Sequence, residues 1–298
     1  MTHSDPARPP RSLADATLPP GLDPARLRSP GMVRFFGRIM AGQMAKNFHG
    51  VRLARPGLPA LPPGRAAVIY CNHPSWWDPA FAIVLATRCF PDRRSFGPID
   101  AAALSRYRFM ARIGLFGVEP DSLAGAAALM RIGGALLARP DTLFWITAEG
   151  RFTDPRSRPI RLRPGLAALL RQQPDATIVP LALDYPFWTE KKPEALARFG
   201  PPVEPTAGER GDPAALTSRL EAALQATLEA LASDAIAKDP AAFTTLIEGS
   251  AGVGGIYDVW RRLRARLAGR PFDPAHGAHG RSTQPTGPRT HTPGKEKG

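Results

Sequence analysis

The sequence predicts an α/β fold: a single domain with a mostly buried mixed sheet flanked by helices, a basic amphipathic N-terminal helix and disordered termini. Apolar runs bounded by Pro and Gly alternate with Ala- and Leu-rich stretches of helical length, the pattern of a sheet covered by helices. The chain has 298 residues, of which 43% are hydrophobic, so it can bury a sizeable core.

The apolar runs are predicted as strands and the Ala- and Leu-rich stretches as helices. The predicted strands are 66–71, 95–98, 115–119, 142–147 and 177–183. The predicted helices are 77–87, 101–113, 123–138, 164–172 and 213–233, the last with Pro in its first turn. Pro180 interrupts the last strand and removes a ladder donor, so an edge, a bulge or a bend is expected there.

Two basic segments have an amphipathic pattern suited to lipid headgroups. In 32–48, apolar residues alternate with basic ones: Phe35, Phe36, Ile39, Met40 and Met44 against Arg34, Arg38 and Lys46. In 251–269, Trp260 stands beside Arg261, Arg262, Arg264 and Arg266. The alternative is an ordinary helix that packs on the domain with its arginines solvated. No apolar stretch reaches the roughly 18 residues of a membrane-spanning helix, so we expect a protein on the membrane surface.

The composition of the chain indicates which segments fold, which compartment the protein occupies and which classes of partner it binds. Residues 1–25 and 270–298 are rich in Pro and Arg without periodicity and are predicted to be disordered, which leaves a folded domain over 26–250. The first residues lack the apolar core of a secretory signal, and two cysteines fit a reducing compartment. A net charge of +13 attracts phospholipid headgroups, nucleic acid or phosphorylated substrates. No nucleic-acid partner is expected, because no RNA or DNA module is recognisable.

The strongest chemical signal follows the predicted strand 66–71. Asn72, His73 and Asp78 come directly after it, and open α/β sheets place their sites at the carboxyl ends of strands. A neutral imidazole can accept a proton from a hydroxyl if a carboxylate fixes its tautomer, which requires 74–77 to bend back. The alternative is that His73 and Asp78 only cap the next helix. Outside the predicted tails the other histidine is His49, which has no acidic residue near it in the sequence.

A second strand end carries a candidate phosphate pocket. Glu149, Gly150 and Arg151 follow the strand 142–147, and Arg161 and Arg163 precede the predicted helix 164–172. Glycine allows close approach to a ligand, and arginine offers a planar fork for phosphate. The alternative is an arginine-rich solvated loop, which we prefer for Arg156 and Arg158.

Together these blocks resemble the glycerolphosphate and lysophosphatidate acyltransferase superfamily over about 30–205. Its N-H-x-x-x-x-D block resembles Asn72, His73 and Asp78, its E-G-T-R block resembles Glu149 and Gly150, and its V-P strand resembles Val179 and Pro180. The resemblance implies that His73 deprotonates the acceptor hydroxyl, that Asp78 orients His73, and that the oxygen attacks acyl-CoA or acyl carrier protein. It implies no metal and no bound cofactor. The substrate-binding residues assigned with it are Asn72, Ser75, Glu149, Gly150, Arg151, Arg161, Arg163, Gly165 and Pro180.

The sequence also departs from the family pattern. The second block usually carries an arginine for the acceptor phosphate, whereas here 114–121 contains Glu119 and Asp121. In the third block the threonine is missing and Arg151 falls one position early. The expected acceptor is therefore a lysophospholipid, with a lipid alcohol or glycoside as an alternative. The expected location is peripheral, on the cytoplasmic side of an anionic membrane. A non-catalytic membrane-binding protein and a metal-dependent hydrolase that uses His73, Asp78 and Glu149 are the competing interpretations.

Overall fold

The computed structural model describes residues 23–249. The predicted basic helix 251–269 and the predicted tail 270–298 lie outside the described residues, as does 1–22 of the predicted N-terminal tail. Residues 23–25 are described, and Asp23 caps a short helix and pairs with Arg139 at 2.9 Å.

Within the described residues, eight strands form one sheet in the order β4-β3-β5-β2-β6-β7-β1-β8. They are β1 Gly50–Ala54, β2 Ala67–Cys71, β3 Arg94–Asp100, β4 Leu115–Val118, β5 Thr142–Thr147, β6 Thr177–Asp184, β7 Glu194–Phe199 and β8 Phe243–Glu248. Strands β4, β3, β5, β2 and β6 run parallel, while β7 pairs antiparallel with β6 and β8 antiparallel with β1. The predicted mixed sheet is confirmed, and the carboxyl ends of β2, β5 and β6 share one edge.

Helices cover both faces of this sheet. They are α1 Pro24–Leu27, α2 Pro30–Asn47, α3 Asp78–Cys89, α4 Ala101–Arg106, α5 Leu123–Leu137, α6 Pro164–Arg171, α7 Ala207–Gly211 and α8 Pro213–Ala237, with 3-10 turns at Arg108–Ile113 and Pro240–Ala242. Side chains of β2 alternate between the faces, as the strand period requires. Val68 and Tyr70 join the apolar cluster of α5, α6 and α8, whereas Ile69 and Cys71 join that of α2 and α3.

The structure differs from the sequence prediction in one long helix and in three strands. The single helix predicted over 101–113 breaks at Tyr107, and the 3-10 turn that follows brings Phe109 onto Phe36, with ring centroids 4.8 Å apart. Strands β1, β7 and β8 were not predicted. In β1 and β7 the apolar pattern is interrupted by Arg52 and Glu194, which are buried because they pair with each other at 2.9 Å.

Pro180 lies where the ladder between β6 and β7 ends. The last paired residues are Leu181 and Phe199, and the carbonyl of Pro180 then accepts the N–H of Gly200 at 2.9 Å. The backbone N–H that proline lacks is therefore not needed by the regular β6–β7 ladder, so a proline is tolerated in this internal strand. Gly200 fits here because a Cβ would lie 2.8 Å from Cγ of Pro180.

Candidate active site

The turn between β2 and α3 folds back and brings His73 onto Asp78. The N–H of Asp78 donates to the carbonyl of Ser75 at 3.1 Å, and Oγ of Ser75 accepts the N–H of Trp77 at 3.2 Å. This turn places Nδ1 of His73 2.6 Å from Oδ2 of Asp78. The bend that the sequence required of 74–77 is present.

Asp78 is buried, with 2% of its surface exposed, and is held by three donors. Its Oδ2 accepts from His73 and from the N–H of Ser75 at 3.2 Å, and its Oδ1 accepts from the hydroxyl of Tyr185 at 2.8 Å. Among the described residues no lysine or arginine pairs with Asp78. Its negative charge therefore faces the imidazole, which favours a proton on Nδ1 and leaves Nε2 as an acceptor.

The loop after β5 fixes the backbone of His73 from the neighbouring strand. Oε2 of Glu149 accepts the N–H of His73 at 3.1 Å, and the carbonyl of His73 accepts the N–H of Thr153 at 3.0 Å. Burial raises the pKa of Glu149, and the hydrogen bond from His73 lowers it in part. Glu149 therefore acts here as an anchor for the backbone that carries the imidazole.

Gly150 and Arg163 meet beside this anchor. Gly150 has φ +64°, and a Cβ would lie 2.2 Å from Nε of Arg163, so only glycine fits without displacing the guanidinium. The N–H of Arg163 donates to the carbonyl of Ala148 at 2.9 Å. The guanidinium of Arg163 donates to the carboxylate of Asp121, from the loop that follows β4.

The range that contains this site is similar to known acyltransferases. Residues 52–184 match the family model described as Acyltransferase, and the matched range contains His73, Asp78, Glu149 and Gly150. The matched region is that of an acyltransferase. Among solved structures it is similar to the 1-acyl-sn-glycerophosphate (LPA) acyltransferase PlsC of Thermotoga maritima, with 11% sequence identity and a TM-score of 0.48 over 68% of this chain and 80% of that one. No curated protein matches the chain by sequence.

Four of the predicted binding residues of this acyltransferase either lie away from the His73 imidazole or make contacts that stabilise the fold. Asn72 is 1% exposed, and its side chain exchanges two hydrogen bonds of 2.9 Å with the backbone of Leu183, which ties β2 to β6. Pro180 is buried three residues before Leu183. Gly165 packs toward Leu129, and Arg161 points to Glu221 of α8 at 3.8 Å.

Two aromatic residues of the acyltransferase site were missed by sequence reasoning. Tyr185 follows the end of β6 and bonds Asp78, and Phe152 lies over His73 with ring centroids 4.2 Å apart. The available signal was position: Tyr185 comes directly after β6, and Phe152 lies in the loop that follows β5. Of the two tryptophans in the turn, Trp77 packs edge-on against Phe48 at 5.2 Å, whereas Trp76 is exposed.

The acyltransferase holds a second histidine–carboxylate pair. Nδ1 of His49 lies 2.5 Å from Oε1 of Glu194, so the expectation that His49 lacks an acidic partner is wrong. Oε2 of the same carboxylate accepts from Nε of Arg52 at 2.9 Å. Glu194 is therefore already balanced by a cation, whereas Asp78 is not, and this distinguishes the two pairs electrostatically.

The described residues carry two further findings. No three His, Cys, Asp or Glu side chains between 23 and 249 come together in a way that would hold a metal ion. In the same range, no helix has both the length and the apolar character needed to cross a membrane.

Proposed function

We propose that this acyltransferase moves a fatty acyl group from an acyl thioester, acyl-CoA or acyl carrier protein, to a hydroxyl of a lysophospholipid or related lipid acceptor. The observation that carries the proposal is the 2.6 Å contact between His73 and Asp78 at the carboxyl end of β2, inside the range that matches the family. An imidazole with a buried carboxylate on Nδ1 has the geometry of a general base toward a hydroxyl.

The proposed reaction proceeds by proton transfer and thioester attack. Nε2 of His73 takes the proton of the acceptor hydroxyl while its oxygen forms a bond to the thioester carbonyl carbon. The carbon–sulfur bond then breaks, and the leaving sulfur takes the proton from Nε2, which gives an ester and a free thiol. Asp78 stabilises the imidazolium between these steps, because its charge has no other cation among the described residues. This proposed reaction requires no metal and no bound cofactor.

The other predicted residues divide into anchors and substrate contacts. Ser75 and Glu149 hold the His73 turn through the bonds described above, and Asn72 positions the end of β2. We assign Arg151 to the acceptor headgroup because its side chain is exposed beside Gly150 and forms no ion pair with a described residue.

We also propose that the enzyme works at the surface of an anionic membrane, on its cytoplasmic side. Part of the apolar face of α2 is used inside the protein, since Met44 is buried and Gly37 approaches Thr87. Other aromatic and basic residues stay exposed on α2 and on the adjoining α4 and 3-10 turn. This aromatic–basic patch consists of Phe35, Tyr107 and Phe109 with Arg34, Arg38, Arg106, Arg108 and Arg112. Apolar rings flanked by arginines suit an anionic headgroup layer.

Flotation with vesicles tests the membrane proposal. Phe35 is 55% exposed, and placing half a phenylalanine ring among lipids is worth roughly 1 kcal/mol, so Phe35→Ser should weaken binding to phosphatidylglycerol vesicles about fivefold. Ile236→Ser, at an exposed position on α8 outside the patch, is the matched control and should bind as the wild type does. Equal binding to neutral phosphatidylcholine vesicles would contradict the role of the arginines.

Thiol release tests the proposed reaction. The wild-type enzyme should release thiol from long-chain acyl-CoA, or from acyl carrier protein, only when a lipid hydroxyl is present, and mass spectrometry should show the matching ester. Hydrolysis without an acceptor, or no release from either donor across a panel of lysophospholipids, lipid alcohols and glycosides, would refute acyl transfer to a lipid. In the second case, vesicle binding without activity would support a non-catalytic membrane protein instead.

A further inference from the structure

The arginines that made the loop 151–163 resemble a phosphate pocket are almost all paired with acids. Each of four guanidinium groups has a carboxylate within ion-pair distance: Arg156 with Asp154, Arg158 with Glu229, Arg161 with Glu221 and Arg163 with Asp121. Arg151 is the member of this set that has no ion pair with a described residue. Arg151 interacts electrostatically with Glu149 but forms no ion pair with a described side chain, so its guanidinium is the one in this loop that is left open to a headgroup.

The guanidinium of Arg163 is paired with the carboxylate of Asp121 close to the candidate active site. Arg163 lies against Gly150, next to the loop that anchors His73. A guanidinium fork binds a carboxylate and a phosphate through the same N–H groups, so Asp121 competes with phosphate for Arg163. The hydrogen bond from Arg163 lowers the pKa of Asp121.

Asp121 lies in the loop after β4, two residues beyond Glu119. A phosphate monoester carries a charge of about −1.5 to −2 near pH 7, and a phosphodiester carries about −1. One free guanidinium balances a diester, whereas the second charge of a monoester would meet Asp121 without a counterion.

We propose that this enzyme prefers a lysophospholipid acceptor whose headgroup is a phosphodiester over one with a phosphate monoester, and that Asp121 sets this preference by occupying Arg163. The inference rests on the proposed function and names the acceptor class for it. Removal of Asp121 frees a second guanidinium, which restores the charge that a monoester needs.

The test compares two acceptors with the same acyl chain in detergent micelles. They are lysophosphatidate, a monoester, and lysophosphatidylglycerol, a diester. The wild type should have the higher kcat/KM with the diester. Asp121→Asn should raise the ratio of monoester to diester kcat/KM about tenfold, which corresponds to roughly 1.4 kcal/mol. This gain arises because the variant no longer repels the phosphate and because Arg163 becomes free to bind it. Asp121 and Arg163 are 74% and 44% exposed, so their pair adds little stability and the variant should fold.

Two controls separate release of Arg163 from a general change of charge. Glu119→Gln removes the same charge two residues away, where the carboxylate bonds the hydroxyl of Ser122 at 3.0 Å, and should leave the ratio within about twofold of the wild type. Adding Arg163→Gln to Asp121→Asn should abolish the gain with the monoester.

The outcomes distinguish this inference from the function on which it rests. A wild type that prefers lysophosphatidate, or an Asp121→Asn variant with an unchanged ratio, overturns the role of Asp121 while acyl transfer itself stands. A Glu119→Gln variant that gains as much as Asp121→Asn also overturns it, because the effect would then be a general one of charge. Absence of acyl transfer to both lipids in every variant refutes the proposed function and this inference with it.

Discussion

Replacement of Tyr185 by Phe removes a single hydrogen bond from the proposed catalytic pair of His73 and Asp78. The hydroxyl of Tyr185 donates to Oδ1 of Asp78 at 2.8 Å, and the ring packs 5.5 Å from Phe48. Phenylalanine keeps the ring and its packing, so the change isolates the hydroxyl. Burial and the charge of Asp78 raise the pKa of Tyr185 well above its usual value, so the hydroxyl remains a donor throughout the pH range of the assay.

The magnitude follows from the burial of Asp78. Hydrogen bonds to charged groups contribute about 1.5–3 kcal/mol, and the lost donor leaves a carboxylate oxygen without this partner in a residue that is 2% exposed. We expect Tyr185→Phe to lower the free energy of unfolding by about 2 kcal/mol, measured by urea denaturation. Because Asp78 would also hold His73 less firmly, kcat should fall about tenfold while the KM for the acceptor stays within about twofold.

Tyr70→Phe is the matched control. The hydroxyl of Tyr70 is also buried, but it donates to the neutral carbonyl of Leu220 at 3.0 Å, on the face of the sheet that α8 covers. Its loss should cost about 1 kcal/mol of stability without lowering kcat. If Tyr185→Phe keeps its kcat, or if Tyr70→Phe lowers kcat equally, Tyr185 does not position the catalytic pair.

Three further substitutions test neighbouring groups. Asp78→Asn should lower kcat on the order of 10³-fold, because an amide that donates to His73 selects the wrong tautomer; a pH-rate profile of equal height in both proteins would contradict this. Glu149→Gln keeps an acceptor for the N–H of His73 but removes a carboxylate whose pKa is raised by burial. A raised pKa means that the charged carboxylate destabilises the folded state, and this cost exists only at pH values above the normal pKa of glutamate. The unfolding free energy of this variant should therefore exceed that of the wild type at pH 7, and the difference should vanish below about pH 4. Gly150→Ala places a Cβ against Arg163 at φ +64° and should cost about 1–2 kcal/mol, seen as a lower Tm; an unchanged Tm would mean that the turn relaxes freely.

The parts of the site that the sequence predicted are those built from neighbouring residues. His73 and Asp78 are five residues apart and joined by one turn, so their contact depends only on local bending. Glu149 and Gly150 follow a strongly apolar strand, and their place at a strand end, like that of His73, was predicted from the sequence. In the same way, all five predicted strands are present, because each is an uninterrupted apolar run or a short segment between clear turn signals.

The parts that the sequence did not predict depend on long-range pairing. Tyr185 reaches Asp78 across 107 residues, and Glu194 reaches His49 across 145. Such partners become visible only when the strand order is known, because β6 and β7 bring them to the edge where β2 ends. The pairing of Asp121 with Arg163 has the same origin, and it changes an arginine-rich loop from a general phosphate pocket into a nearly balanced surface.

The most direct test of the central role of His73 compares two histidines in one assay. His73→Ala and His49→Ala each remove an imidazole that contacts a buried carboxylate, at 2.6 Å and 2.5 Å respectively. With saturating thioester donor and lipid acceptor, His73→Ala should lower kcat for thiol release by at least about 100-fold, as removal of a general base does. His49→Ala should keep kcat within about threefold of the wild type, because Glu194 retains Arg52 as its partner. A His73→Ala enzyme that turns over like the wild type, or a His49→Ala enzyme that loses as much activity, would contradict the assignment of the general base.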